Sequence, residues 1–287
     1  AFLVIIMIIF GSTGNLLVLM VVARCPTLKK SYNTFIASLS ATDLLFNISI
    51  MPFYADSFYH RRWRFSKGLC MFHAFFGTVL IMCSSLHIAL IAINRYFLVV
   101  HMSIYPRVSR IRILILQIVI VWLISIASVI PGAVGWHAVV RYTDQISRCT
   151  YVRSESKESL DIVFSMGFVL PSFVVFICYG LIWCKSKGSR KKLKLYKHPS
   201  QAEPYAPSRK RRPSQKRNTR KHSMKIIVVI FISFLFTYLP YSIINLADER
   251  GELNRIWYMS TSLFFWAGSC LNPYIYGIMN EQFRNAY

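Results

Sequence analysis

The sequence predicts an all-α membrane protein, built as a bundle of seven transmembrane helices with a short amphipathic eighth helix. The 287-residue chain is 55% hydrophobic and has a mean hydropathy of +0.44, which is too apolar for an ordinary soluble domain. Its apolar residues fall in runs of about 20 residues or longer, enough to cross about 30 Å of hydrocarbon as a helix. Because lipid offers the backbone no hydrogen-bond partners, we expect each run to be helical.

Seven such runs follow one another, and we treat residues 1–287 as a single transmembrane domain. Prolines occur inside five of them, and we expect kinks there rather than breaks, because neighbouring groups in a bundle can bind the carbonyl that a proline leaves unpaired. The chain begins within an apolar run, without an initiator Met or a signal peptide, so we expect that natural tails have been removed at both ends. The seven segments are residues 1–23, 32–58, 69–100, 110–135, 160–184, 223–247 and 254–278, the amphipathic tail is 280–287, and the prolines are Pro52, Pro131, Pro171, Pro240 and Pro273.

The distribution of charge orients the chain in the membrane. The sequence holds 34 Lys and Arg against 11 Asp and Glu, a net charge of +23. Such a charge can indicate nucleic-acid binding, but the basic residues cluster in short segments between the apolar runs, which argues against that function. The loops after the first, third and fifth segments are basic, so we place them in the cytoplasm and the N-terminus outside a plasma membrane. One outer loop departs from this rule, with Arg61, Arg62, Arg64 and Lys67.

The third inner loop, residues 185–222, is rich in Lys, Arg, Ser and Pro, which predicts disorder. Its run R-K-R-R-P-S ends at Ser214. Such a run is typical of a basophilic phosphorylation site or of a segment that binds anionic membrane lipids. A solvated stretch that only fixes the topology is the alternative.

Six different short motifs lie in the apolar segments, one after another along the chain. They are Gly14-Asn15, Leu39-Ser40-Ala41-Thr42-Asp43, Asn94-Arg95-Tyr96, Trp122, Pro171 with Tyr179, and Asn272-Pro273-Tyr274-Ile275-Tyr276. In this order and spacing they resemble the rhodopsin-like (class A) G-protein-coupled receptors, over essentially the whole chain. The resemblance implies a receptor that passes an extracellular signal to a heterotrimeric G protein, with arrestin and a receptor kinase as further partners. It implies no enzymatic activity, and the sequence has no nucleophile–base pair or phosphate-binding loop.

Asp43 lies in the middle of an apolar run, where an ionised carboxylate costs several kcal/mol unless it has a partner. The resemblance implies that Asp43 holds an allosteric sodium ion with the hydroxyls of Ser84 and Ser269, and that Asn15 and Asn272 complete the polar network. A protonated Asp43 that is only hydrogen-bonded to its neighbours is the alternative. We expect no other cofactor or metal, because no two cysteines have the spacing of a zinc site.

The resemblance also implies a set of residues that change position on activation. Arg95 is the movable arginine at the inner end of the third helix, and Asn94 stands where the family commonly has Asp, which removes one restraint on that arginine. Tyr238 replaces the family's usual tryptophan before Pro240, and its hydroxyl needs a polar partner when buried. The predicted switch residues are Asn94, Arg95, Tyr96, Tyr179, Phe234, Tyr238, Pro240, Asn272, Pro273 and Tyr276.

On the outer side, the resemblance implies a disulfide between Cys70 and Cys149, in keeping with an oxidising exterior. Gly77 stands where amine receptors carry Asp, and Trp266 stands where opsins carry the retinal lysine. We therefore expect neither a biogenic amine nor retinal as the ligand.

The branch that the chain resembles most contains melatonin receptors, the medium-chain fatty acid receptor, and orphan receptors of the Moody and Trapped-in-endoderm type. Arg153 has the spacing from Cys149 of the arginine that holds the ligand carboxylate in the fatty acid receptor. We expect an acidic or lipid-like small molecule, bound near Arg153, Gly77, Tyr238 and Trp266; a surface role for Arg153 is the alternative. A melatonin-like or peptide ligand, or a transporter or channel, is a further alternative, although we see no symmetric halves.

Overall fold

The computed structural model describes residues 1–25, 28, 31–135, 138–144, 146–153, 163–195, 214–248, 253–279 and 281–284. These residues form ten α-helices, one π-helical turn and one β-hairpin. The helices are α1 (Phe2–Arg24), α2 (Ser31–Ser49), α3 (Met51–His60), α4 (Lys67–Val100), α5 (Tyr105–Val108), α6 (Ile111–Ala133), α7 (Leu170–Leu195), α8 (Ser214–Ala247), α9 (Arg255–Met279) and α10 (Glu281–Arg284), with the π-helical turn at Ser165–Val169 and the strands β1 (Ala138–Thr143) and β2 (Arg148–Arg153).

Each of the seven apolar segments contains a long helix. Within the described part of the chain, five helical stretches are long and apolar enough to cross a membrane, and α8 adds a shorter apolar stretch. The helix α9 is not one of these stretches, and it carries the buried polar residues Thr261, Ser262 and Asn272. The five spanning stretches are Phe2–Arg24, Asn33–His60, Lys67–Val100, Ile111–Ala133 and Ser165–Lys187, and the shorter stretch is Val228–Ile244.

The helix α4 is the centre of the bundle, because it packs against α2, α6 and α7. The helix α1 packs between α2 and α9, and α8 packs mainly on α9. A close approach of α1 to α9 depends on Gly14, where a Cβ atom would lie 3.1 Å from Cβ of Pro273. Any larger side chain at this position would push the two helices apart.

The helical structure changes near two of the five prolines at which the sequence predicts kinks. The second spanning segment is divided at Ile50, with Pro52 in the first turn of α3, a position where the missing N–H costs nothing. Pro131, Pro240 and Pro273 lie inside continuous helices. The π-helical turn Ser165–Val169 ends two residues before Pro171.

The basic third inner loop is shorter than the predicted 185–222. The helix α7 continues to Leu195 and α8 begins at Ser214, so both ends of this segment are helical. Lys and Arg are good helix formers, which explains why the helices extend into it. Residues 196–213 lie outside the described part, so disorder there stays a prediction. The predicted eighth helix is present as α10, where Phe283 is buried and its ring lies 6.1 Å from that of Tyr276.

The β-hairpin covers the outer end of the bundle. Its strands are antiparallel, with Thr143 opposite Arg148 and Tyr142 opposite Cys149. Cys149 forms a disulfide with Cys70 in the first turn of α4, with a Cα–Cα distance of 5.4 Å, so the disulfide that the resemblance implies is confirmed. The hairpin is therefore anchored to the central helix.

We expect removal of this disulfide to destabilise the outer half of the protein. The bond closes a loop of 79 residues, and the double variant Cys70→Ser, Cys149→Ser should lose about 2–4 kcal/mol of stability. The midpoint of thermal unfolding in a detergent or nanodisc measures the loss. Cys184→Ser, which removes an exposed free thiol, is the control and should unfold with the wild type. Equal midpoints for both variants would contradict the anchoring role.

Candidate functional site

The carboxylate of Asp43 lies at the centre of the bundle and is 1% exposed. The Ser84 hydroxyl on α4 donates to its Oδ1 atom at 2.7 Å, and the Asn272 amide on α9 donates to its Oδ2 atom at 2.9 Å. A carboxylate is stable in a buried position only when hydrogen-bond donors contact its oxygens, and these two groups are such donors. Asp43 thus joins α2, α4 and α9 through a single side chain.

A second layer of polar contacts surrounds this carboxylate. The Asn47 amide donates to the backbone oxygen of Asp43 at 2.7 Å. The Asn15 amide, which is fully buried, donates to the backbone oxygens of Gly11 at 2.9 Å and Ser269 at 3.0 Å. These contacts bring α1 into the network through the backbone of Ser269, while Asn272 contacts Asp43 directly.

A small cavity adjoins the carboxylate and reaches toward the outer half of the bundle. Asp43, Ser84 and Ser269 all line it, so the three residues for which the family resemblance implies a sodium ion share one space. The Ser269 hydroxyl donates to the Trp266 carbonyl at 2.9 Å, which leaves its lone pairs available as a ligand. A carboxylate and two hydroxyls are oxygen ligands that suit a hard cation. The cavity is lined by Asp43, Phe46, Leu80, Ile81, Ser84, Tyr238, Phe265, Trp266 and Ser269.

A column of aromatic rings runs along α8 beside this cavity. The Tyr238 ring centroid lies 4.3 Å from that of Phe234 and 4.5 Å from that of Phe265. The Tyr238 hydroxyl faces the side chains of Ser85 and Ser84, which supply the polar partner that a buried tyrosine requires. Tyr238 therefore lies against Ser84, which itself donates a hydrogen bond to Asp43.

The outer end of the same space is closed by a cation among aromatic rings. Arg148 of β2 is 5% exposed, and its guanidinium carbon lies 5.3 Å from the ring centroid of Tyr241, 5.7 Å from Trp266 and 5.8 Å from Tyr54. The Tyr54 and Trp266 rings stack with their centroids 4.4 Å apart. We call Arg148, Tyr54, Tyr241 and Trp266 the outer cage.

The guanidinium in the outer cage also makes polar contacts. It donates to the Tyr241 hydroxyl and interacts with the Tyr54 hydroxyl. Burial lowers the pKa of Arg148, and the tyrosines more than offset this effect, so the pKa stays above its ordinary value and the group is charged. Gly77 adjoins the cage, because a Cβ atom there would lie 3.6 Å from the Tyr54 hydroxyl.

Of the four predicted ligand residues, three lie near one another. Trp266 belongs to the outer cage, Gly77 adjoins it and Tyr238 lines the cavity beneath it. The backbone of Arg153 is in β2 opposite Ala138, but its side chain lies outside the described residues.

The predicted switch residues at the inner end of the bundle are largely buried. Asn94 and Arg95 are 5% and 6% exposed, near the inner end of α4. The Tyr96 hydroxyl lies 2.9 Å from Nε2 of His101. Tyr179 on α7 is close enough to Arg95 to interact with it electrostatically, and its ring lies 6.1 Å from that of Phe231.

Sequence reasoning missed Arg148, Tyr54 and Tyr241. The signal for Arg148 was its place directly before Cys149, since a disulfide to α4 holds the neighbouring residue against the bundle. Tyr54 and Tyr241 are single aromatic residues in apolar helices, and nothing in their spacing distinguishes them from ordinary packing residues.

These features together define a multi-pass membrane receptor fold: a helical bundle with a polar centre, a closed outer end and an arginine near the inner end of its central helix. The chain matches the family described as 7 transmembrane receptor (rhodopsin family) over residues 14–276, and it belongs to that family. It is accordingly a receptor and not an enzyme.

Individual relatives are more distant. The chain is 28% identical to the G-protein coupled receptor moody of Drosophila melanogaster, covering 98% of this chain and 49% of that protein, so it spans about half of that relative's length. It is 28% identical to Protein trapped in endoderm-1 of the same species, covering 98% and 74%, and 27% identical to mouse melatonin receptor type 1A, covering 100% and 78%. Among solved structures, squid rhodopsin has the same fold, with a TM-score of 0.82 at 23% identity, over 99% of this chain and 82% of that one.

We expect Ser84→Ala to weaken the polar centre. The substitution removes the donor to Oδ1 of Asp43 and should cost about 1–3 kcal/mol, as is usual when a buried polar group loses its partner. The midpoint of thermal unfolding reports the loss. Ser128→Ala is the matched control, because the Ser128 hydroxyl donates only to Ile124 of its own helix, and this variant should behave as the wild type.

Proposed function

We propose that the protein binds an extracellular ligand at the outer end of the bundle and activates a heterotrimeric G protein at the inner end. The observation that carries this proposal is a series of neighbouring side chains that lead from one end of the bundle to the other. It begins at Arg148, passes through Trp266 and Tyr238, and reaches Arg95 by way of Tyr179.

The rings of Trp266 and Tyr238, in the middle of this series, are the part that we expect to move. Trp266 and Tyr238 line the same cavity, so a shift of one ring changes the space beside the other. The Tyr238 ring packs on Phe234, and Phe231, one turn further along α8, packs on Tyr179. A ligand that binds one arrangement of these rings more tightly than another increases the population of the first arrangement, including its conformation at the inner end. The size of the shift is set by the difference in affinity.

The ligand that we favour is an acidic or lipid-like small molecule. Supporting this choice, Arg148 is buried at the outer end and Arg153 follows it on the same strand. A melatonin-like ligand is the alternative that the similarity to melatonin receptor type 1A favours, and a peptide ligand is a further one. We place the receptor in the plasma membrane with its N-terminus outside, and we add arrestin, a receptor kinase and membrane lipids as partners.

Arg95→Ala should abolish receptor-catalysed nucleotide exchange, because Arg95 is the residue that we expect to extend into the G protein. Exchange is measured with purified heterotrimer and receptor in nanodiscs, against the rate of the heterotrimer alone. Arg24→Ala, which removes an exposed cation from the last turn of α1, is the control and should keep most of the activity. Exchange by Arg95→Ala at the wild-type rate would refute the role assigned to this arginine.

We further propose that Asp43, Ser84 and Ser269 hold a sodium ion, which supplies positive charge at the centre of the resting bundle. Their common cavity and their oxygen ligands support this assignment. The donors Ser84 and Asn272 hold the carboxylate in place beside this cavity.

Sodium should raise the thermal unfolding midpoint of the wild-type protein relative to choline at the same ionic strength. Asp43→Asn should remove this difference, because the neutral amide cannot offset the charge of the ion. Asp56→Asn is the matched control, since Asp56 lies at the outer end of the same spanning segment and pairs with Arg64, and it should keep the response to sodium. A sodium response that persists in Asp43→Asn would exclude this site.

A further inference from the structure

Arg148 is a buried cation that has no carboxylate partner among the residues that the structure describes. Among the outer residues that the structure describes it is the only arginine that is buried, and its contacts are with tyrosine hydroxyls and aromatic faces. The ion pairs within these residues join Asp56 to Arg64 and His60, and none involves Arg148. A buried guanidinium with only neutral partners is uncommon, because its removal from water is costly.

Neutral partners compensate this cost only in part. Aromatic faces and phenol oxygens attract a guanidinium, but each accepts weakly in comparison with a carboxylate. The planar group presents five N–H donors in a fork that fits two oxygens of one acid. The outer cage therefore holds a cation whose charge no carboxylate among the described residues balances, and an anion would balance it.

One donor in the cage has no hydrogen-bond partner among the described residues. Nε1 of Trp266 is buried and has no hydrogen-bond acceptor among the described residues. An indole nitrogen can only donate, so a group that satisfies it must bring an acceptor oxygen. The orphan donor and the unpaired cation thus require the same kind of atom.

The cage is also held in position. Cys149, the residue after Arg148, is bonded to Cys70 on α4, and Arg148 is paired with Thr143 in the hairpin. The Tyr54 ring packs on Trp266 and on His73, whose Nε2 atom donates to the Ile50 carbonyl at 3.1 Å. Preorganised donors of this kind lose little entropy when a ligand binds.

We propose that Arg148, together with Nε1 of Trp266, binds the anionic head group of a small amphiphilic ligand, a carboxylate or a phosphate, while the apolar chain of that ligand lies on the aromatic walls of the outer cage. The inference rests on the proposed function as a ligand-activated receptor and names the residue that selects the ligand. It assigns the acid-binding role to Arg148 and not to Arg153.

The test uses three probes with the same ten-carbon chain: decanoate, decyl phosphate and the neutral decanamide. Binding is measured by the shift in thermal unfolding midpoint as each probe is titrated, below its micelle concentration, onto the receptor in nanodiscs of neutral lipid. We expect at least one of the two acids to bind and decanamide to bind at least about tenfold more weakly, since the amide cannot form a charge-assisted pair. The two acids separate a carboxylate from a phosphate preference.

Arg148→Gln should raise the dissociation constant of the bound acid by about tenfold or more and leave the dissociation constant of decanamide unchanged. Arg141→Gln, on an exposed position of β1, is the matched control and should bind as the wild type does, and Arg153→Gln tests the rival arginine. If Arg148→Gln does not fold, Arg148→Lys keeps the charge and the apolar stem but loses the planar fork, and it should bind the acid more weakly. No binding of either acid, equal binding of decanamide, or undiminished acid binding by the Arg148 variant overturns the proposal.

Nucleotide exchange on the G protein separates this inference from the proposed function. Acid binding that depends on Arg148 without any receptor-catalysed exchange would support the site and refute the function. Exchange by the wild type together with acid binding that ignores Arg148 would refute the site and support the function.

Discussion

The hydrogen-bonded carboxylate of Asp43 is the constraint on which the bundle depends. Its two oxygens receive donors from α4 and α9, and its backbone oxygen receives the Asn47 amide. In hydrocarbon a carboxylate without such partners is costly, so the three helices must keep the rotation and depth that bring the donors together. The close packing of α1 on α9 at Gly14 and the bond from Asn15 to Ser269 add the first helix to the same centre.

Above and below this centre the contacts are aromatic, and they differ in kind from the polar core. Hydrogen bonds fix distance and direction, whereas rings such as Tyr238 and Phe234 contribute mainly apolar packing area. The molecule therefore combines a hydrogen-bonded middle with aromatic layers on either side. This division suits a protein whose two ends must communicate while its helices stay assembled.

Much of this arrangement could be predicted from the sequence, and the reasons are physical. Run length and apolarity decide the spanning helices, because a backbone in lipid has few alternatives to a helix. Asp43 was recognisable as a candidate site because an acidic side chain in an apolar run is costly without partners. The family resemblance predicted the disulfide between Cys70 and Cys149. The extension of α7 to Leu195 was not predicted, since a Lys-rich and Arg-rich composition fits a disordered loop as well as an exposed helix. The outer cage was not predicted either, because the depth at which a hairpin inserts Arg148 depends on tertiary packing and not on local pattern.

The disulfide next to Arg148 links the hairpin directly to the central helix α4. It couples the residue at the outer end through one covalent bond to a helix of 34 residues, about 51 Å long at the usual rise per residue. Arg95 lies near the opposite end of that helix. A movement of the hairpin is thus applied to a long helix, and a tilt of a few degrees at the end that carries Cys70 displaces the end that carries Arg95 by several ångströms.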